Sequence, residues 1–151
     1  MTNGTTLTYQ VYVTPIIATA AKVPVNVGHT DTDDTTVLHV PDIALVVAGD
    51  AVYNDVHQYL AESDAQGRRD WLAALDTIEG LGPRAVVAGH KRYGKDDAPR
   101  TIDETRQYIR DFDRLDKETS TAEELYWQML AIYPHRVNPD ALRLSARSAK
   151  A

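Results

Sequence analysis

The chain has 151 residues, of which 43% are hydrophobic and 25% are charged, and its formal net charge is −6. This length and acidic balance are typical of one soluble, cytoplasmic domain with a real core, and they argue against nucleic acid as a partner. We also expect no membrane partner, because no apolar run approaches ~20 residues, and no thiolate metal site, because the chain has no cysteine.

We expect a single domain over residues 1–151, in three parts. Residues 1–22 are β-prone but interrupted by Pro15, which indicates an N-terminal arm or an edge strand. Residues 23–97 are expected to form a β-rich core, and residues 98–151 a helical tail.

Four short apolar runs in the core predict strands. The first is VPVNV from residue 23, and the last is RAVVAGH, which ends at His90. The middle two, TTVLHV and IALVVAG, are joined by the turn dipeptide Pro41-Asp42 and therefore predict a hairpin.

Capping patterns and apolar spacing predict the helices. Ser63 with Gln66 forms a capping-box pattern before a helix with an apolar stripe. In the tail, Pro99 suits the first turn of a second helix, and Thr121 with Glu124 caps a third helix. A last short helix, rich in Arg and Ala, is expected to fray.

Three polar side chains each follow a glycine where a predicted strand ends: His29, Asp50 and His90. The glycine lets the backbone turn sharply, so that the side chain can point along the edge of the sheet. If the strands are neighbours, two imidazoles and one carboxylate suit a zinc, manganese or iron ion. The alternative is that all three are turn residues in a polar rim covered by water.

These segments resemble a known family. The stretch VGHTDTDDTTVLHVPDIALVVAGDAVYN, followed by a helix and AVVAGHKR, resembles the C-terminal half of metallo-β-lactamase-fold hydrolases. The resemblance implies that His29, Asp50 and His90 bind metal, with Asp50 in the place of the aspartate that bridges two metals in the family. It also implies an α/β (α+β) fold that is half of an αβ/βα sandwich, with a mixed β-sheet flanked by helices and a helical tail.

The chain departs from the family pattern in one respect. The His-x-His-x-Asp-His cluster of the N-terminal half has no counterpart here, so we expect at most about one zinc ion, or another divalent transition metal, per chain. A truncated, half-size sandwich would also leave Val, Ile and Leu side chains uncovered on one sheet face. We expect a homodimer or a missing N-terminal half to cover that face.

The acidic turn after the first predicted strand has two interpretations. The resemblance implies that Asp34 or Thr35 orients His29 as a hydrogen-bond partner. Asp31, Asp33 and Asp34 are also spaced as in a calcium loop, but the turn lacks that loop's glycine and its closing glutamate. A solvated acidic turn is the better interpretation of the spacing.

Further polar residues are candidates for a substrate pocket. Tyr53, Asn54 and His57 follow Asp50 closely and are predicted to line a pocket beside the metal. As an alternative, Asn54 caps the next turn and His57 lies on an exposed face. A basic cluster after the last strand either attracts an anionic substrate or is a solvated loop; its members are Lys91, Arg92 and Lys95.

Two functions remain open. The first is metal-dependent hydrolysis of a small-molecule ester, thioester, lactone or amide. The second is a catalytically degenerate or truncated module that keeps the fold and has a binding or structural role. The resemblance favours the first, and the missing cluster favours the second, so the sequence assigns no catalytic residue.

Overall fold

Four strands form one mixed sheet in the computed structural model of this chain, which describes residues 20–151. The predicted N-terminal arm over residues 1–22 lies outside the described residues except at its end. The strands lie side by side in the order of the chain, as β1 (Val23–Gly28), β2 (Thr35–Val40), β3 (Leu45–Asn54) and β4 (Ala85–Lys91).

The middle two strands form an antiparallel hairpin, as predicted. Its turn is a short 3-10 helix over Pro41–Ile43, which Pro41 favours through its fixed φ angle. β1 also pairs antiparallel with β2, whereas β3 and β4 are parallel. β1, β3 and β4 therefore run in the same direction, and their carboxyl ends point to one edge of the sheet.

Helices account for the remaining regular structure of the described residues. They are α1 (Ala65–Gly80), α2 (Arg100–Glu118), α3 (Ala122–Ile132) and α4 (Pro139–Ala149). α1 lies between β3 and β4 in the chain and provides the long connection that parallel neighbours require. Within residues 20–151, no helix has the length and apolar character that crossing a bilayer demands.

Side-chain caps fix two helix starts. The capping box predicted for Thr121 and Glu124 is present at the start of α3. The capping box predicted for Ser63 is wrong, because the N-cap of α1 is Asp64, whose carboxylate accepts two backbone N–H groups of the first turn at 2.8 Å. A carboxylate here also interacts favourably with the positive end of the helix dipole.

The hydrophobic core lies on one face of the sheet, which we call the inner face. Val46 of β3 shares this core with Trp71 of α1 and Phe112 of α2, and all three are fully buried. The indole N–H of Trp71 donates to the carbonyl of Ala51 at 2.9 Å, so the ring is buried without an unpaired donor. Leu142 of α4 is also fully buried, so the last helix packs on the core, contrary to the prediction that it frays.

The opposite, outer face of the sheet carries an aliphatic row. The strand register places Leu38 beside Val47, and Val47 beside Val87. Val47 remains 37% exposed, although its neighbours in sequence, Val46 and Ala48, are buried on the inner face. We call Leu38, Val47 and Val87 the outer row.

Candidate functional site

The three predicted metal ligands lie toward one edge of the sheet, but only two of them are on neighbouring strands. His29 directly follows β1, Asp50 lies within β3, and His90 is next to last in β4. Because β2 lies between β1 and β3, the axes of β1 and β3 are about 10 Å apart. The strand order therefore separates His29 from the other two residues.

Asp50 and His90 do lie together. Nε2 of His90 is 3.4 Å from Oδ1 of Asp50, and each side chain is about half exposed. The register between β3 and β4 slips between Gly49 and Tyr53, and Gly49 has a φ of 54°. Glycine adopts this backbone conformation without strain, so Asp50 occupies an irregular point of the strand from which its side chain reaches His90.

Gly89 leaves the space that this pair needs. A Cβ atom at position 89 would collide with Oδ1 of Asp50 and would lie 2.8 Å from the backbone carbonyl carbon of Gly49. The glycine before His90 is thus explained by the close approach of β3, whereas the glycines before His29 and Asp50 have positive φ angles. Two different physical reasons produce the same Gly-polar pattern in the sequence.

His29 has hydrogen-bond partners at both ring nitrogens. Nδ1 lies 2.7 Å from Oδ1 of Asp33, and Nε2 lies 2.9 Å from the hydroxyl of Ser63. The same hydroxyl donates to the carbonyl of Thr30 at 2.8 Å. The ring also lies so close to α1 that a Cβ atom at Gly67 would sit 2.6 Å from Nε2. His29 is therefore fixed between the acidic turn and the start of α1.

The hydrogen-bonded side chains Asp33, His29 and Ser63 follow the acid–histidine–serine order of a nucleophilic triad. The serine, however, lacks the access to substrate that a triad needs. Ser63 is only 3% exposed, and its hydroxyl proton is directed at the Thr30 carbonyl. A nucleophilic serine must present its oxygen to a substrate beside an oxyanion donor. Ser63 instead connects the start of α1 to the turn after β1.

The hydrogen-bond partner of His29 on the acidic turn is Asp33, one position before the predicted Asp34. Asp34 has a φ of 58° and turns the chain toward β2. The hydroxyl of Thr35 lies 2.7 Å from that of Thr30. Because the residues after β1 form an irregular turn and not a helix, the spacing of four between His29 and Asp33 gave no signal of this contact.

A second acid, Asp31, lies near Asp50. Asp31 is only 9% exposed and accepts a hydrogen bond from the hydroxyl of Thr30 at 3.1 Å. Burial raises the pKa of its carboxyl group, and the negative charge of Asp50 raises that pKa further. Sequence reasoning placed Asp31 only in a solvated turn, because no local pattern separates it from its exposed neighbours.

Of the three predicted pocket residues, Tyr53 lies against a predicted ligand. Its ring stacks on the ring of His90, with centroids 5.0 Å apart and planes at 22°. Both rings line a cleft of about 310 Å³ at the surface. Burial raises the pKa of the Tyr53 hydroxyl, and the charges of Asp31 and Asp50 add to this.

Asn54 and His57 have internal partners. The amide of Asn54 donates to the carbonyl of Asp96 at 2.7 Å, and Asn54 is 2% exposed. His57 is fully buried, with Nδ1 3.0 Å from the hydroxyl of Tyr108. Burial lowers the pKa of His57 to about 4, and the positive charge of Arg136 contributes. The alternative that placed His57 on an exposed face is wrong.

The donor set fits a divalent metal ion only in part. Asp50 and His90 are a carboxylate and an imidazole, which zinc-like ions accept where thiolates are lacking. Within residues 20–151, however, no three His, Asp or Glu side chains are grouped closely enough to hold an ion. Catalytic zinc is commonly bound by three protein ligands. The described residues thus provide part of a ligand set and not a closed one.

Comparison with known proteins identifies the fold. No protein-family model and no curated protein matches the chain. Among solved structures, the chain is similar to a metallo-beta-lactamase family protein from Thermus thermophilus, with a TM-score of 0.59 and 20% identity over 86% of this chain. A metallo-beta-lactamase from Pontibacter korlensis aligns over 62% of this chain and 46% of its own, with a TM-score of 0.49 and 17% identity.

The likeness confirms the predicted fold. The mixed sheet with helices on its inner face corresponds to part of the metallo-β-lactamase fold. The chain spans 42% of the length of the Thermus protein.

Proposed function

We propose that this chain contributes Asp50 and His90 to a divalent metal site of a hydrolase that acts on an ester, thioester, lactone or amide. The observation that carries the proposal is the 3.4 Å approach of Asp50 and His90 from two parallel strands. The fold likeness supports it. When bound, a zinc-like ion would supply Lewis-acid polarisation of the substrate carbonyl.

His29 is the third ligand in this proposal. To bind an ion through Nε2, His29 would give up the hydroxyl of Ser63 and would have to approach Asp50 and His90 across β2. The bond from Nδ1 to Asp33 could then persist, since carboxylates commonly orient metal-binding imidazoles in this way. We expect at most about one ion per chain with these three ligands.

A partner would complete the site and cover the outer row. We propose a second copy of this chain, or an N-terminal half of the sandwich. The outer row supports this, because Leu38, Val47 and Val87 form an aliphatic strip in which Val47 is 37% exposed and the other two are half-buried.

A second candidate function is a catalytically degenerate module with a binding or structural role. The observation that favours it is the state of His29, whose two nitrogens are both occupied by side chains of the fold. In this alternative Asp33 and Ser63 hold His29 as a structural link, and any metal at Asp50 and His90 binds weakly.

Zinc titration with a parallel assay of turnover separates the two functions. The hydrolase proposal expects saturable zinc binding by calorimetry and zinc-dependent hydrolysis of at least one neutral p-nitrophenyl ester, thioester or lactone. Zinc binding that produces no turnover of any of these would favour the degenerate module. No zinc binding by the full chain would overturn the metal site itself.

A further inference from the structure

A cleft opens beside His90. Its volume is about 310 Å³, near the lower end of the range for small-molecule sites. One wall consists of Tyr53, Tyr59 and His90, and the opposite wall is the first two turns of α4. A compact group of one ring with a short substituent fits this space.

The wall formed by α4 is apolar with one acid. Asp140, Ala141 and Leu144 share a helix face, because residues three and four apart are neighbours on a helix. Leu144 is 51% exposed and so offers apolar surface to a ligand. Asp140 lies in the first turn of α4 and brings a carboxylate to the lining of the cleft.

The opposite wall is aromatic. Tyr53 is 2% exposed; its ring stacks on the His90 ring, and its centroid lies 6.1 Å from that of the Trp71 ring. The Tyr53 ring is thus covered, and the half-buried Tyr59 is the aromatic residue of this wall that a ligand can reach. An aromatic ring near a carboxylate is a favourable environment for an organic cation, since the ring face attracts positive charge.

The nearby basic residues are already paired. Lys91 lies 2.7 Å from Asp97, and Arg92 and Lys95 lie 3.3 and 3.1 Å from Asp55. These ion pairs leave the basic cluster poorly suited to attract an anionic substrate, which was one interpretation of the sequence.

A basic residue of α4, the helix that forms one wall, also lies outside the cleft. The guanidinium of Arg143 in α4 lies over the ring of Tyr126, 4.4 Å from its centroid, and is not among the cleft residues. Asp140 is therefore the acid of the cleft lining, and the charges of Asp31 and Asp50 lie behind it, close to Tyr53.

We infer that this cleft binds a compact organic cation, of the size of a benzylammonium group, between Tyr59 and Asp140. Where it concerns substrates, the inference rests on the proposed function. The cleft would then favour esters or amides that carry a cationic or neutral group and would disfavour anionic ones. As a statement about binding, it requires no metal.

Three probes with the same ring test the charge preference. Benzylamine, benzyl alcohol and benzoate are titrated into the full chain without added metal, and binding is followed by NMR. We expect benzylamine to bind about fivefold more tightly than benzyl alcohol, with shifts at Tyr59, Ala141 and Leu144, and benzoate to bind most weakly. Equal binding of the three, or shifts confined to another surface, would overturn the inference.

A matched pair of variants tests whether Asp140 causes the preference for benzylamine. In Asp140→Asn, benzylamine should bind no better than benzyl alcohol, while Asp42→Asn, at the hairpin turn, should retain the preference. Circular dichroism of both variants checks that the helices are intact. An unchanged preference in folded Asp140→Asn would also overturn the inference.

Zinc binding and ester turnover are measured separately from benzylamine binding, so the hydrolase proposal and the cleft proposal can each be contradicted without the other. Benzylamine binding without any zinc binding would support the cleft and contradict the hydrolase. Zinc-dependent turnover with equal kcat/KM for cationic, neutral and anionic esters would support the hydrolase and contradict the cleft.

Discussion

Nε2 of His90 lies 3.4 Å from a carboxylate oxygen of Asp50, across two parallel strands that are joined through α1. Both side chains are about half exposed, so the pair is open to an ion from solvent. This relationship can be tested by substitutions that remove or displace one partner.

Replacing Asp50 by Ala removes the charged partner. We expect metal content, measured by elemental analysis, to fall to background, and stabilisation by added zinc in thermal unfolding to disappear. His39→Ala is the control, because His39 lies in β2 opposite Val46 and away from the pair. If both variants behave alike, Asp50 is part of a polar rim and binds no metal.

Gly89→Ala tests the space beneath the pair. The added methyl group would meet Oδ1 of Asp50 and backbone atoms of Gly49, so we expect destabilisation of about 1–3 kcal/mol in urea unfolding, together with weaker zinc binding. Gly80→Ala is the matched control, since a Cβ atom there has no neighbour within 4 Å. A Gly89→Ala variant as stable as the native chain would contradict the close approach.

Ser63→Ala tests whether His29 is available to metal. Loss of the hydroxyl frees Nε2 of His29 and should cost about 1 kcal/mol of stability. If His29 is a ligand, calorimetry should show tighter zinc binding in this variant, because the competing hydrogen bond is gone. Unchanged zinc affinity would indicate that His29 is only a structural link.

His57 predicts a specific pH dependence of stability. Burial lowers the pKa of His57 in the folded chain to about 4, so the unfolded chain, whose histidine has a pKa near the usual 6.5, takes up the proton first. The contribution of neutral His57 to the free energy of unfolding is complete above pH 6.5. As the pH falls toward 4 this contribution is lost, which lowers the free energy of unfolding by about 3 kcal/mol in total.

Substitution of His57 separates its effect on the pH dependence of stability from the effect of the carboxylates. In His57→Phe, the free energy of unfolding should fall less steeply between pH 6.5 and 4 than in the native chain. The exposed His135, replaced by Phe, provides the control for removal of an imidazole outside the core. Identical slopes in all three proteins would contradict the burial of a neutral His57.

The outer row predicts self-association. We expect light scattering after size-exclusion chromatography to give the mass of a dimer, and Val47→Arg to shift it to a monomer without loss of helix signal, since Val47 is exposed at the centre of the row. Thr77→Arg is the control, on an exposed residue of α1, the helix that packs on the inner face. A native chain that is monomeric at high concentration would contradict the second-copy proposal.

Local patterns predicted most of the fold. The hairpin around Pro41-Asp42 and the capping box at Thr121 were readable because each depends on residues close in sequence. The cap of α1 was misplaced by one residue because Ser63 and Asp64 are both good caps, and Ser63 is used by His29 instead.

The site was less predictable because it depends on strand order. The glycine pattern brought Asp50 and His90 together, but it took no account of strand order: short connections pair β1 with β2 and β2 with β3, which leaves β2 between His29 and the other two residues. The burial of His57 and of Asp31 was also missed, since it arises from helices and turns that pack on them from elsewhere in the chain.

Pro24 bears on how copies of this chain can associate. β1 is the outermost described strand on its side of the sheet, and Pro24 within it has no N–H group to offer a further strand. Strand addition at that edge, which would let chains polymerise side by side, is therefore hindered. In the proposed dimer, the outer row of one copy would pack on the same row of the other, which would bury the surface of both molecules and close the assembly at two. The position of a single proline thus favours a closed pair over an open-ended fibre.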